Sequence, residues 1–309
     1  MAGRAATDGG TFADDPRGGS DFMRGDHVTS PSGQSQPYPG ETSKMDPRPR
    51  DEMRGYEGRG LLAGRRALIT GGDSGIGRAV AVAFAKEGAD VAITYLEEDE
   101  DARHTAGLVE AEGRRCPTFG GDLAEERHAR DVVRRAAEEL GGLDVLVLHH
   151  GTQRPVEDVR EIGTDQLDRT FRVNVHSLFW TVQEALDHLP DDGSIVVTGS
   201  INGLRGNTSL IDYSASKAAA MTFAQCMAQS LVERGIRVNI VSPGPVWTPL
   251  IPATFDEDRV EGFGEQAPMG RAADPDEIAP SYVFFASSRL SSYYTGQNLV
   301  PAGGEIHPG

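Results

Sequence analysis

The sequence predicts an α/β fold, a doubly wound parallel sheet, and three observations carry that prediction. From Arg66 onward, short apolar runs alternate with amphipathic helical stretches. That order builds parallel strands with helices packed on both faces. Several of the runs are apolar throughout, as in strands covered on both sides. The first run enters a glycine-rich turn that leads straight into a helix, the arrangement of a phosphate-binding unit.

In chain order, residues 1–60 are rich in Gly, Pro, Asp, Arg and Ser, with almost no aliphatic side chain before Leu61. Such composition buries too little surface to offset its ordering entropy, so 1–60 is expected to be a flexible N-terminal tail, disordered or draped over the surface. The proline-punctuated stretch Gln34–Gly40 and the positive charge of Arg48 and Arg50 leave a docking arm as the alternative. Residues 61–309 form the predicted catalytic domain. Its strands are expected at Arg66–Thr70, Asp90–Leu96, Arg115–Phe119, Leu143–His149, Ser194–Ser200, Arg237–Ser242 and Gln297–Pro301. Helices are expected at 75–88, 98–113, 124–140, 164–189, 212–234 and 274–288. The longest irregular piece, Trp247 to about Ala273, has the length of a lid or binding segment.

Bulk properties exclude several classes. A net charge of −17 repels phosphate and argues against nucleic acid as a partner. No apolar run approaches the roughly 20 residues of a membrane span, and the N-terminus lacks the apolar core of a signal peptide. Cys116 and Cys226 form neither a disulfide framework nor a zinc set. A reducing cytoplasm is the expected location.

Two stretches carry chemistry. Ala67–Thr70 runs into Gly71-Gly72-Asp73-Ser74-Gly75-Ile76-Gly77, spaced G-x-x-x-G-x-G, followed by a helix. The backbone of Gly71, Ser74, Gly75, Ile76 and Gly77 is therefore expected against a pyrophosphate, at a helix N-terminus with its positive dipole end. Asp122 and Leu123 follow the third strand, where Asp122 either accepts from an adenine amino group or caps the next helix. The second strand ends at Tyr95-Leu96, before an acidic run from Glu97 to Asp101. Glu97 at that position suits ribose hydroxyls, and Ser74 offers no positive charge to a 2′-phosphate, which favours NAD over NADP. The acidic run reads equally as an exposed helix start.

The second stretch is Asp212–Ala220, with Tyr213 and Lys217 four positions apart on one face of a helix. A fixed ammonium near a phenol favours the phenolate, which moves its proton exchange toward neutral pH. Only three of the 30 basic residues are lysines, so a lysine here signals that a slim ammonium is required.

These residues resemble the short-chain dehydrogenase/reductase family. Thr70–Gly77 is similar to its T-G-x-x-x-G-x-G motif, and Asn174, Ser200, Tyr213 and Lys217 match its Asn-Ser-Tyr-Lys set in order, with the usual thirteen-residue step from Ser200 to Tyr213. Pro243-Gly244-Pro245-Val246-Trp247-Thr248 resembles the segment that faces the nicotinamide. Trp247–Leu250, Pro268–Arg271 and the glutamine- and proline-rich tail are similar to a bacterial glucose/ribitol dehydrogenase-like, general-stress subgroup. The resemblance implies a Rossmann-like domain, hydride transfer between a nicotinamide cofactor and a small alcohol or carbonyl substrate, and a homotetramer. It makes Tyr213 the acid/base, gives Lys217 the ribose, Ser200 the substrate oxygen and Asn174 a water in a proton relay, with Pro243, Gly244, Val246 and Thr248 as cofactor contacts. The alternative function is a dinucleotide-binding redox sensor or scaffold without turnover. One motif departs: Leu148-His149-His150-Gly151 stands where the family reads Asn-Asn-Ala-Gly. Gly151 keeps the close backbone approach. The His pair is read as a tolerated local variant, since adjacent strand residues point to opposite faces.

Overall fold

The computed structural model describes residues 31–305. Strands β1 (Arg66–Thr70), β2 (Asp90–Tyr95), β3 (Thr118–Gly120), β4 (Val145–Leu148), β5 (Ser194–Thr198), β6 (Arg237–Val241) and β7 (Asn298–Leu299) form one sheet. Its order is β3-β2-β1-β4-β5-β6-β7 and every pairing is parallel. The seven strands fall where the apolar runs predict them, shorter by a residue or more in all but the first.

Strand alternation divides the core in two. Ala67, Ile69, Val145, Val147 and Val196 point to one face, covered by helices α1 (Gly75–Lys86), α2 (Asp99–Ala111) and α10 (Pro275–Ala286). Leu68, Leu146, Leu148, Ile195 and Val197 point to the other, covered by α3 (Glu126–Leu140), α5 (Ser177–Ala185) and α7 (Ile211–Ser230). Burial on both faces explains why β4, β5 and β6 are buried at every residue and why β4 is apolar throughout, while Arg237 and Asn239 of β6 are buried with hydrogen-bond partners. Local chemistry sets the helix ends. Gly141 closes α3 at φ 78°, where an L side chain is strained. At α10 Asp274 and Glu277 form a capping box, with Pro275 at the first helical position.

The long helix expected over 164–189 is three pieces: α4 (Thr164–Phe171), one π-helical turn (Arg172–His176) and α5. The segment expected to be irregular contains α8 (Leu250–Thr254) and α9 (Glu257–Val260), while α6 (Ile201–Arg205) and α11 (Ser288–Ser291) are short helices that carry no strong periodicity.

The tail expectation changes most. Its first 30 residues lie outside the described residues, but residues 31–60 lie against the body. Met53 joins the core under α1 and α10. Met45 packs with Trp247, Ile251 and Val260, and the Trp247 indole donates to the Pro47 carbonyl at 2.7 Å. Asp51 is 2% exposed, accepting from the Gly75 amide at 3.1 Å and from Arg78 Nη1 at 3.0 Å. Arg78, 1% exposed inside the apolar helix α1, also pairs with Asp101 and donates to the Asp73 carbonyl. The arm thus supplies a charge that α1 needs. A buried guanidinium without its carboxylates costs several kcal/mol, a gain that aliphatic content does not report.

Candidate active site

The sheet order reverses between β1 and β4, since β1 leads outward to β2 on one side while β4 leads to β5 on the other. In open α/β sheets ligands bind beyond the strand ends at such a point. A cleft of about 550 Å³ opens there, lined from β1 by Gly71, Asp73, Ser74, Gly75 and Ile76, and from β4 by His149, His150 and Gly151. Tyr95, Asp122, Leu123, Pro243, Gly244, Val246 and Thr248 line it as expected. So does the segment after Pro249, with Leu250, Ile251, Phe255 and Phe263.

Gly77 does not line the cleft. A Cβ there would collide with the Gly71 carbonyl, so Gly77 lets α1 pack against its own loop. Helix α1 leaves the amides of its first turn without intrahelical acceptors. Asp51 takes the Gly75 amide, and Ile76 is the next residue on the cleft wall.

Ser200, Tyr213 and Lys217 come together on one wall. Tyr213 lies in the first turn of α7, within hydrogen-bonding reach of the Ser200 hydroxyl. Ser200 also caps α6, its hydroxyl accepting from the Asn202 amide at 3.1 Å. Lys217 is 5% exposed. Its Nζ donates to the Thr198 carbonyl at 2.9 Å and stands 5.8 Å from the Tyr213 ring centre. Burial pushes the lysine down to about 8. Burial also pushes the Tyr213 phenol up, opposed by the Ser200 hydrogen bond. The expected depression of the phenol by Lys217 is not what dominates, because Nζ is turned to a strand-end carbonyl and both groups are desolvated.

Asn174 ties two elements of the wall together. It lies in the π-helical turn and is 1% exposed. Its Nδ2 donates to the Thr152 carbonyl and to Ser216 Oγ, both at 2.9 Å, while Oδ1 accepts from the Thr152 amide at 2.8 Å. The side chain pins the loop after β4 to the helix that carries Tyr213. Both protons of its side-chain amide are used within the fold.

The histidines also differ from expectation. Strand β4 ends at Leu148, so alternation no longer applies, and both imidazoles line the cleft. His149 Nδ1 meets Thr198 Oγ1 at 3.1 Å. His150 meets Thr70 Oγ1 and Ser177 Oγ, both at 2.7 Å. Burial, reinforced by the Lys217 charge, pushes His149 down to about 3 and His150 to about 4. They are neutral hydrogen-bonding linkers. No group of three metal-ligating side chains occurs among the described residues.

At the outer end of β2 the acid that lines the cleft is Glu98, while Glu97 is exposed and turned away from it. Asp73 joins Glu98 on that wall. Burial, then the Glu98 charge, pushes Asp73 up to about 7. Asp122 lines the cleft but does not cap α3, whose N-cap is Glu125; its Oδ1 accepts from the Ala124 amide at 2.9 Å and its Oδ2 from Arg169. Arg169, Gln153 and Arg259 line the cleft with no motif to announce them, and Tyr38 joins them from the proline-punctuated stretch Gln34–Gly40.

A family model described as enoyl-(acyl carrier protein) reductase matches residues 71–305. General stress protein 39 of Bacillus subtilis is 51% identical over 268 residues, covering 87% of this chain and 93% of that one. The chain belongs to the short-chain dehydrogenase/reductase family. Glucose and ribitol dehydrogenase of Daucus carota is 42% identical over 282 residues, covering 89% of this chain and 97% of that one. These two relatives place the present short-chain dehydrogenase/reductase with the stress and glucose/ribitol subgroup. A short-chain dehydrogenase from Burkholderia cenocepacia, solved in complex with NADP, superposes with a TM-score of 0.74 at 37% identity, covering 79% of this chain and 98% of that one. The protein is a nicotinamide-dependent oxidoreductase with a Rossmann-like fold.

Proposed function

We propose that this reductase interconverts a carbonyl and an alcohol on a small molecule, with Tyr213 as the proton donor and acceptor. The observation that carries the proposal is the convergence of Ser200, Tyr213 and Lys217 on one wall of the dinucleotide cleft. The residues fit the cofactor. A Cβ at Gly151 would stand 3.4 Å from Lys217 Nζ, so the glycine keeps the cradle beside the lysine open. When bound, the nicotinamide supplies or accepts the hydride. Tyr213 gives its phenolic proton to the substrate oxygen, or takes one from it. Ser200, beside the phenol, offers a second hydroxyl to the charge that develops on that oxygen. Thr198 engages one of the three ammonium donors of Lys217, and the other two serve the ribose hydroxyls. His149 and His150 hold Thr198 and Thr70 at the strand ends that the cofactor faces.

The acidic wall of Asp73 and Glu98 supports NAD(H), whereas the Burkholderia relative is complexed with NADP. A cytoplasmic homotetramer, by its resemblance to the family, completes the proposal. No helix among the described residues is long and apolar enough to cross a membrane. The test is oxidation of NADH and NADPH at 340 nm with a panel of aldehydes, ketones and sugars, plus an enone whose product reports carbonyl or alkene reduction. Carbonyl reduction supports the proposal. Dinucleotide binding without turnover of any substrate would make the chain a sensor or scaffold, and alkene reduction would reassign the reaction.

A further inference from the structure

The part of the chain that sequence composition marks as tail crosses the mouth of the cofactor cleft. The Gln36 amide donates to the Pro252 carbonyl of α8 at 2.9 Å. Six residues on, the Thr42 amide donates to Asp101 Oδ2 of α2, also at 2.9 Å. Between these two anchors Tyr38 and Pro39 line the cleft. The Tyr38 hydroxyl lies on the Thr152 side of the cleft, with Arg169, Glu98 and Asp122 as charged neighbours. Residues 36–42 therefore span from the substrate segment to the β2–α2 side, and a tyrosine hangs from the middle of the span. Two features hold it in that shape. The Glu41 amide donates to Gln36 Oε1 at 2.9 Å, closing a tight loop. Gly40 has φ +97°, and a Cβ there would lie 2.6 Å from the Pro249 carbonyl oxygen. Only glycine brings the strap this close to α8.

We propose that residues 36–42 are a strap over the adenosine half of the dinucleotide cleft, and that Tyr38 is a cofactor-holding residue. The proposal rests on the nicotinamide-dinucleotide reading of the cleft. Tyr38 is two-fifths exposed, unusual for a ring set among charged groups across a cavity, and a dinucleotide gives it an apolar and hydrogen-bonding surface to cover. The strap has no covalent hinge other than the arm itself. It opens by releasing the Pro252 carbonyl, while Asp51 and Met53 keep the arm attached to α1. Cofactor exchange is then limited by strap opening, and the arm contributes to affinity through the rate of release.

The test uses the full chain and both reduced dinucleotides. Stopped-flow nicotinamide fluorescence measures binding and release for wild type, Tyr38→Ala and Gly40→Ala, with melting curves for each. Release should be about tenfold faster in Tyr38→Ala, the scale of one lost aromatic contact, and faster also in Gly40→Ala, whose strap cannot seat. Hydrogen exchange on the wild type gives a readout independent of any variant: the Gln36 amide should exchange more slowly when either dinucleotide is bound. Failure of the wild type to bind either dinucleotide would refute the reading of the cleft. Wild-type binding with Gln36 exchange unchanged, or with release unchanged in both folded variants, would refute the strap alone.

Discussion

Lys217 Nζ lies 2.9 Å from the Thr198 carbonyl oxygen, at the C-terminal end of β5. The bond fixes the amine of one helix to the strand end that Ser200 follows, so this wall of the cleft is held by sheet and helix together. The amine is desolvated to achieve this, and burial lowers its proton affinity to about 8.

Replacing Lys217 separates stability from function. In the unfolded chain the amine titrates near 10.5, and in the fold near 8, so the fold binds fewer protons between those values. The lysine's contribution to stability therefore rises with pH through that window. Lys217→Met removes the buried charge. It should melt at or above the wild-type temperature at pH 7, lose the rise between pH 8 and 10.5, and lose turnover and cofactor affinity. Lys217→Arg should lose turnover because a planar fork does not fit the space of a slim ammonium. Melting curves across pH, with turnover alongside, check both; near-normal turnover in the arginine variant would reduce the residue to a generic charge.

Tyr213→Phe keeps the ring and removes the acid. Cofactor affinity should persist while kcat falls by about 10²–10⁴. Isothermal titration with either dinucleotide, run beside steady-state rates, separates the two quantities. A variant within a few fold of wild type would mean that another group moves the proton.

The proton on Asp73 should tune cofactor choice. Its carboxyl is held up to about 7 by burial and by the neighbouring Glu98 charge. Below that value it is neutral and repels a 2′-phosphate less; above it the negative charge disfavours NADP(H). The affinity for NADP(H) relative to NAD(H) should therefore increase as pH falls from 8 to 6. Asp73→Asn should flatten the dependence and shift it toward NADP(H). A ratio independent of pH in the wild type would remove Asp73 from the specificity wall.

Arg78 should prove a large stability determinant. Arg78→Met leaves Asp51 and Asp101 buried without their cation, a loss of about 3–5 kcal/mol. Denaturant unfolding measures it. Asp51→Ala should cost less, because Asp101 and the Asp73 carbonyl still hold the guanidinium. The Asp51 variant should instead loosen the arm, seen as faster hydrogen exchange at the Met53 amide, which donates to Asp276 at 2.9 Å.

The sequence by itself determined the sheet, five of its six expected helices and the residues that line one wall of the cleft. Apolar runs and helical periods are local properties, and a strand buried on both faces writes them plainly, as in Val145–Leu148. Ser200, Tyr213 and Lys217 were legible because a motif fixes residue types at fixed steps. The tertiary structure alone decided what those residues touch. Asn174 became a pin for Thr152 only because a π-helical turn aims its amide at that loop. His149 and His150 entered the cleft together because β4 ends one residue before them. The arm was the least legible part. The stretch Gln34–Gly40 marked it as a possible docking arm without saying where it docks, and a further signal lay far away, in a lone arginine within the apolar helix α1, which could be buried only if carboxylates came to it. Asp51 comes from the arm and Asp101 from α2. Hydrophobic composition measures what a segment can bury by itself, whereas residues 31–60 are held by the Arg78 guanidinium, by backbone carbonyls and by apolar pockets for Met45 and Met53 that the rest of the fold supplies.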